Sequence, residues 1–408
     1  MKKQLLNRYF LVLMFLLICF LPSAITREGE SESDAIITAI GIDKLDNSED
    51  LEVSLQVLVP TPSAQYSQQL SVVSTKEKTV SRAISFLELR LGKYISFPHC
   101  KAIVFNDNAM QEGVDKYLDY IVRNKANSNN IVLINAQESA KEMLNSISDI
   151  DNSLYFSLNN SGGFNKEYLK GSQISLGDFY KAFQTKDSSC IVGEISLEKA
   201  SDVGMISIPS MSGGSSANTG SQSSQDNQKT VVNQGESSLV KNGKKIMKLS
   251  AEQTRGFNWF SKDANKGFLL IEKVDDKLYK DATVGVEIER KTTNVKTYFE
   301  GKTPVYELDI TLYIRVAEIV EEVKKDEIYD ESHSYLTATL KSKIKEKISS
   351  EIDEAITLAK EHNADIMEAG KTINKYNNKK YKKYLKTNNT NPLQNIKFKT
   401  KITLKERL

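Results

Sequence analysis

Residues 282–319 alternate apolar and polar side chains over an unusual length. Val284, Val286 and Ile288 share one side, as do Tyr306, Leu308, Ile310, Leu312, Ile314 and Val316. A period of two is the strand period, so this stretch predicts strands with one buried face. The pattern then changes. Over 335–360, Leu336, Leu340, Ile344, Ile348, Ile352, Ile356 and Ala359 form a single apolar stripe at helical spacing, with charged residues on the other faces. That is a long amphipathic helix. A second helix is expected around ADIMEAGKTINKY. The chain closes on NIKFKTKITL, with Ile396, Phe398, Ile402 and Leu404 facing inward. Strands, a long helix and a returning strand make an α+β domain, an antiparallel-rich sheet packed on a long helix.

The first half reads differently. DAIITAIGID and LEVSLQVLV are strands joined by the polar turn KLDNSED, and LSVVST is a third. In KTVSRAISFLELRLG, Val80, Ala83, Ile84, Leu87 and Leu91 fall at helical spacing, and Gly92 suits the C-cap. CKAIVFN is a strand, NAMQEGVDKYLDYIVRN a helix, NIVLINA a strand and ESAKEMLNSI a short helix. LGDFYKAFQT adds a helix and GMISIPS a strand. Alternating helices and strands predict a mixed or largely parallel sheet with covering helices. Residues 211–237 are rich in Ser, Gly, Asn and Gln. They cannot bury enough apolar surface to offset their ordering entropy, so a flexible surface loop is expected. The organisation is then 27–210 as an N-terminal α/β region of one or two subdomains, 211–237 as the loop, and 238–408 as the C-terminal α+β domain. The fold class is α+β, multi-domain, with mixed sheets.

Residues 1–26 stand apart. Lys2, Lys3 and Arg8 precede thirteen uncharged, largely apolar residues from Tyr9 to Leu21. A basic start, an apolar run of this length and the small residues of PSAIT describe a secretory signal. Counted on to Thr26 the run has eighteen residues, the lower edge for crossing ~30 Å of hydrocarbon, so an N-terminal membrane anchor is the other reading. Either places the body outside the cytoplasm. Cys19 lies near the end of the apolar run, where a bacterial lipoprotein takes its lipid. Leu16 suits such a processing site and the bulky Ile18 does not; the other reading of Cys19 is one more apolar residue.

No catalytic set is legible. There is no GxSxG elbow, HExxH or Walker loop. The three cysteines, Cys19, Cys100 and Cys190, form no zinc spacing. Cys100 and Cys190 either pair in an oxidising compartment or stay free. His99 beside Cys100 suggests chemistry, but adjacent strand residues face opposite ways. His99 is expected instead to be a hydrogen-bonding corner residue after a turn through Phe97 and Pro98. His333 is expected at a solvated helix start and His362 at the end of the long helix. Net charge is +2, from 55 basic and 53 acidic residues, which gives no reason to expect nucleic acid. KYNNKKYKKYLK (375–386) interleaves lysines with Tyr376, Tyr381 and Tyr384. It reads as a solvated helix end or as a contact with an anionic membrane surface.

In order along the chain, AIGIDK, the stretch EKTVSRAISFLELRLGKYISFPHCKAIVFNDNAMQEGVDKYLDYIVRN, ESAKEML, LSAEQTRGFNWF and AKEHNADIMEAGKTINKY resemble the Ger(x)C proteins. These are the C subunits of nutrient germinant receptors in spore-forming bacteria. The resemblance covers almost the whole chain after the export run. It carries Gly41, Ile42 and Asp43; Gly92, Lys93 and His99; Asp119 and Arg123; Ala140 and Leu144; Glu252, Arg255, Gly256 and Trp259; and Ala364, Asp365, Ile366 and Gly370. It implies a non-enzymatic subunit with no cofactor, exported and lipid-anchored on the outer face of the spore inner membrane. There it would assemble with two integral membrane subunits to trigger germination. The alternative from a different class is a membrane-anchored or secreted solute-binding protein.

Overall fold

The computed structural model describes residues 34–59, 69–123, 130–146, 169, 172–183, 188–199, 229–232, 235–320, 335–388 and 390–406. The run 1–26 with Cys19, the strand expected at 204–210, most of the loop 211–237, and His333 lie outside the described residues. Two sheets with packed helices make up the described fold, which is α+β as expected.

The first sheet starts with β1 (Asp34–Lys44), β2 (Leu51–Val59) and β3 (Gln69–Glu77), an antiparallel meander. α1 (Val80–Leu91) follows, capped by the Thr79 side chain at its start and by Gly92 at φ 62° at its end. Glycine accepts that left-handed conformation without steric cost. β4 (Tyr94–Ser96) pairs beside the start of β1, and β5 (Ala102–Asn106) lies parallel to β1. The single helix expected over 108–124 is two, α2 (Asp107–Glu112) and α3 (Asp115–Arg123). Gly113, at φ 116°, breaks it. β6 (Val132–Ala136), α4 (Ala140–Asn145), β7 (Ile174–Ser175), α5 (Leu176–Phe183) and β8 (Ser189–Lys199) continue the pattern. β1, β5, β6 and β8 are mutually parallel neighbours. One face carries Ile40, Ile42, Ile103 and Phe105 against α1 and α3; the other carries Ala39, Val104 and Ile134 against α4.

After β9 (Lys229–Val232), β10 (Ser237–Lys241) pairs antiparallel with β8, and β11 (Lys244–Leu249) pairs with β10. A boundary at 238 therefore falls inside the first sheet: residues 237–249 complete it, whatever follows them. The path is β11-β10-β8-β6-β5-β1-β2-β3.

α6 (Ala251–Asn258) leads to the second sheet, β12 (Gly267–Val274), β13 (Ala282–Glu300), β14 (Thr303–Val320) and β15 (Lys397–Glu406), in that order. Its first three strands are antiparallel, and β15 returns parallel to β14. α7 (Ala338–Glu361) and α8 (Ala369–Leu385) lie between β14 and β15. The expected stripe is the packed face: Leu340, Ile344, Ile348 and Ile352 are fully buried with Val284, Val286, Leu308, Ile310 and Leu312. The same core takes in Ile191, Leu239 and Leu249 from the first sheet.

Candidate functional site

Many of the motif residues gather at three joints between elements. At the first, Asp43 near the end of β1 reaches the start of α4. Its carboxylate accepts from the Ala140 amide at 2.6 Å, the Lys141 amide at 3.0 Å and the Ser139 hydroxyl at 3.1 Å. A carboxylate on exposed helix amides satisfies donors that have no partner within the helix. Burial raises the Asp43 carboxyl above the ordinary carboxylate range, against the pull of these three bonds. Gly41, two residues earlier, faces the same helix. A Cβ there would lie 3.1 Å from Leu144 Cδ1 and 3.2 Å from Ala140 Cβ. Gly41, Asp43, Ala140 and Leu144 thus form one contact. The other end of α4 is tied down by Gln56, whose amide donates to the Leu144 carbonyl at 2.8 Å.

The second joint sets α6 against α7. Ser250 and Gln253 close a capping box at the start of α6. Arg255 then grips Glu351 of α7 with two bonds, Nε to Oε2 at 2.9 Å and NH2 to Oε1 at 2.5 Å. Trp259 Nε1 adds a third to Oε2 at 2.9 Å. All three side chains are buried. Burial would lower the Arg255 guanidinium; the Glu351 bonds and charge outweigh it and raise it. Gly256 allows the approach, since a Cβ would stand 2.5 Å from the Glu351 carbonyl oxygen. The far end of α6 is closed by buried Lys291 of β13, whose Nζ donates to the Asn258, Trp259 and Ser261 carbonyls at 2.7, 3.1 and 2.6 Å.

The third joint starts α8. Glu368 stands at φ 52° at the helix entrance and supplies no side-chain cap. Asp365 does so instead, accepting from the Ala369 and Gly370 amides, each at 2.7 Å. A Cβ on Gly370 would meet Tyr381 Oη at 2.6 Å. Beside this joint lies a cleft of about 610 Å³, bordered by Phe257, Phe260, Tyr306, Met367, Lys371 and Tyr376.

A second crevice, of about 680 Å³, lies where α2 faces β11. Its floor is polar and charged. Asn135 Nδ2 donates to Asp107 at 2.8 Å, and Ser238 Oγ donates to Glu194 at 2.6 Å. Lys245 Nζ bonds Asp107 at 2.6 Å and Glu194 at 3.1 Å, while Lys248 pairs with Glu236 at 2.7 Å. Each carboxylate here has a lysine beside it, but Lys245 and Lys248 are shared among Asp107, Glu194 and Glu236, so the network keeps an excess of negative charge. Sequence reasoning missed Glu194, Lys245, Lys291 and Glu351. Glu351 lies on the helix whose charged faces read as solvated, Lys291 is one of the polar positions in the alternating run, and Glu194 and Lys245 lie in strands that sequence reasoning did not mark.

Other singled-out residues are structural or exposed. His99 sits in an exposed turn closed by Cys100 N to the Phe97 carbonyl at 2.9 Å. Its imidazole makes no hydrogen bond among the described residues. The turn is where it was expected; the hydrogen-bonding corner role is not found, because Pro98 and His99 point into solvent. Cys100 and Cys190 are both free, and burial pushes each thiol up to about 12, which leaves little thiolate for chemistry. His362 caps the end of α7, its carbonyl accepting from Lys241 Nζ at 3.1 Å. Asp119 and Arg123 pair on the exposed side of α3 at 2.8 Å. The run 375–386 is the second half of α8, with Tyr381 and Tyr384 stacked inward and the lysines outward. Among the described residues no His, Cys, Asp and Glu group is placed to hold a metal ion, and no helix is long and apolar enough to cross a membrane.

A model described as the spore germination protein N-terminal domain matches residues 28–197. A second, described as spore germination B3/GerAC like, C-terminal, matches residues 236–407. No curated protein matches. A solved structure, the crystal structure of the GerBC protein, is similar at 15% identity and a TM-score of 0.48, covering 90% of this chain and 97% of that one. The two models follow one another in order and together span most of the sequence: the chain belongs to the Ger(x)C family of spore germination proteins.

Proposed function

We propose that this protein is the non-enzymatic C subunit of a nutrient germinant receptor, working on the extracytoplasmic face of the spore inner membrane. Residues 1–26 hold it at the bilayer, as a retained anchor or through a lipid on Cys19. It assembles there with two integral membrane subunits and helps turn nutrient arrival into germination. The observation that carries this reading is the ordered match of both family segments, 28–197 and 236–407. The chemistry of the motif residues supports it. Asp43, Arg255 and Asp365 are spent on joining elements, and their partners are amides and a carboxylate of the same chain. A fold held this way offers a rigid surface for assembly.

The test is purification of the tagged full chain from spore inner membranes in mild detergent, beside deletion of its gene. Two multi-span proteins should co-purify, and spores lacking the gene should lose the response to at least one nutrient. A chain recovered alone from spores that germinate normally with every nutrient, in a strain without a second receptor, sinks the proposal. Palmitate labelling of wild type against Cys19→Ser decides the lipid: equal labelling removes it from Cys19.

A further inference from the structure

The parallel strands β1, β5, β6 and β8 all begin at one end of the first sheet, and the chain enters that end at Asp34. β4 is paired beside the entrance, with Tyr94 opposite Asp34. β3 finishes at the other end, where Glu77 pairs with Leu51 and Leu51 with Lys44. α1 therefore runs back toward the entrance and stops there at Leu91.

Large apolar side chains are exposed on this returning helix and on β4. Leu89 is 84% exposed, Tyr94 71% and Phe86 47%. A lone exposed leucine means little, but three such residues beside one chain entrance form a patch. Arg90 and Lys93, both exposed, flank it, with one guanidinium nitrogen of Arg90 donating to the Ser74 carbonyl at 3.2 Å. The nearby Glu88 carboxylate is turned to the backbone, accepting from the Ile95 amide at 3.1 Å.

The sequence upstream says what this end faces. Only seven residues, Arg27–Ser33, separate Thr26 from Asp34, and a chain that short reaches at most ~25 Å. With residues 1–26 in a bilayer, the entrance to β1 must stay close to its surface. We propose that this end of the first sheet rests in the headgroup layer of an anionic bilayer. Leu89, Phe86 and Tyr94 enter the interface, where aromatic and aliphatic side chains are favoured, and Arg90 and Lys93 lie against lipid phosphates. The proposal rests on the reading that residues 1–26 are retained in the membrane as an anchor. It adds which face of the protein looks at that membrane, and so which faces are left for the other subunits.

The chain's one tryptophan, Trp259, is fully buried, which makes added tryptophans readable. Leu89→Trp, Tyr94→Trp and, at the far end of the sheet, Glu49→Trp are introduced into the full chain. Each is reconstituted into vesicles of phosphatidylcholine with phosphatidylglycerol, with or without brominated acyl chains, and checked by flotation. The emission added at 89 and 94 should shift to the blue and lose most of its intensity in brominated vesicles. The emission added at 49 and that of Trp259 should not change. Arg90→Glu with Lys93→Glu should reduce the quenching at 89, as should vesicles of phosphatidylcholine alone. A chain that floats but is not quenched at 89 and 94 overturns this proposal alone, as does quenching at 89 that appears only when the membrane subunits are co-reconstituted. Equal quenching with and without phosphatidylglycerol overturns the role of Arg90 and Lys93. A chain that does not float overturns the anchoring on which the proposal rests.

Discussion

Glu351 is the acceptor on which α6 depends, and its surroundings set the cost of losing it. It takes two bonds from Arg255 and one from Trp259, all buried. Glu351→Ala leaves a buried guanidinium without its counter-charge, a change that costs ~3–5 kcal/mol. Glu351→Gln keeps two oxygen- or nitrogen-bearing positions and should cost clearly less. Urea unfolding of the two variants checks the order; equal losses would mean that shape, not charge, matters there. Lys291 gives a pH signature at the other end of the same helix. Burial lowers its ammonium from the ordinary lysine value of 10.5 to about 7, with Asp263 opposing. Between those values the unfolded chain holds a proton that the native chain lacks, so unfolding takes up a proton and stability rises with pH. Below about 7 both states are protonated and the full burial cost remains. The stability of wild type minus that of Lys291→Met should therefore climb from pH 7 to the ordinary lysine value of 10.5. A flat difference would mean that the three carbonyls around Nζ keep the ammonium charged.

The packing of α4 on β1 depends on a missing side chain on the strand. Gly41 leaves room for Ala140 and Leu144, and Asp43 fixes the start of the helix. Gly41→Val puts a branched side chain where even a Cβ would lie 3.1 Å from Leu144 Cδ1. Overpacking of this kind costs ~1–3 kcal/mol, and hydrogen exchange should rise first in α4 rather than in β13 or β14. Exchange that rises evenly across both sheets would contradict the local account. Elements of this fold were legible where one face is buried and the other wet. The stripe of α7 and the alternation of β13 and β14 are of that kind, and Gly92 was legible as the end of α1. β8, β10 and β11 were not found. β8 and β10 pair across a long intervening segment, whereas β10 and β11 form a tight hairpin through Asn242 and Gly243, a local turn signal that sequence reasoning passed over. The joints were legible as motif positions only. Asp43 and Ala140 are 97 positions apart, and no local pattern says that they meet. Gly113 shows the reverse case, a local breaker inside a helical pattern that the periodicity ran through.

At the scale of the molecule, the sequence boundary and the structural one differ, and the difference can be measured. The second family segment begins at residue 236, yet its first strands, β10 and β11, complete the first sheet by pairing on β8. The core of the second sheet in turn includes Leu169 and Ile191 from the first segment, with Leu239 and Leu249 from the crossing strands. A cut between 235 and 236 therefore strips two strands from the first sheet and leaves the Ser189–Gly193 stretch of β8 without its β10 partner. Open strand edges invite association with other chains. A fragment ending at 235 should aggregate or stay partly unfolded, whereas one ending at 249 keeps β10 and β11 and should be the more soluble. Fragments 1–235 and 236–408, refolded together from denaturant, should form a complex that neither half forms with itself. Size-exclusion chromatography with circular dichroism reads both outcomes. If the fragment ending at 235 folds as a stable monomer with cooperative melting, the crossing strands are an accessory to the first sheet and not part of its core. If it does not, the receptor subunit cannot be treated as two independent modules. A mutation in one family segment should then lower the stability of the other, most of all at Ile191 and Leu239, where the cores of the two sheets meet.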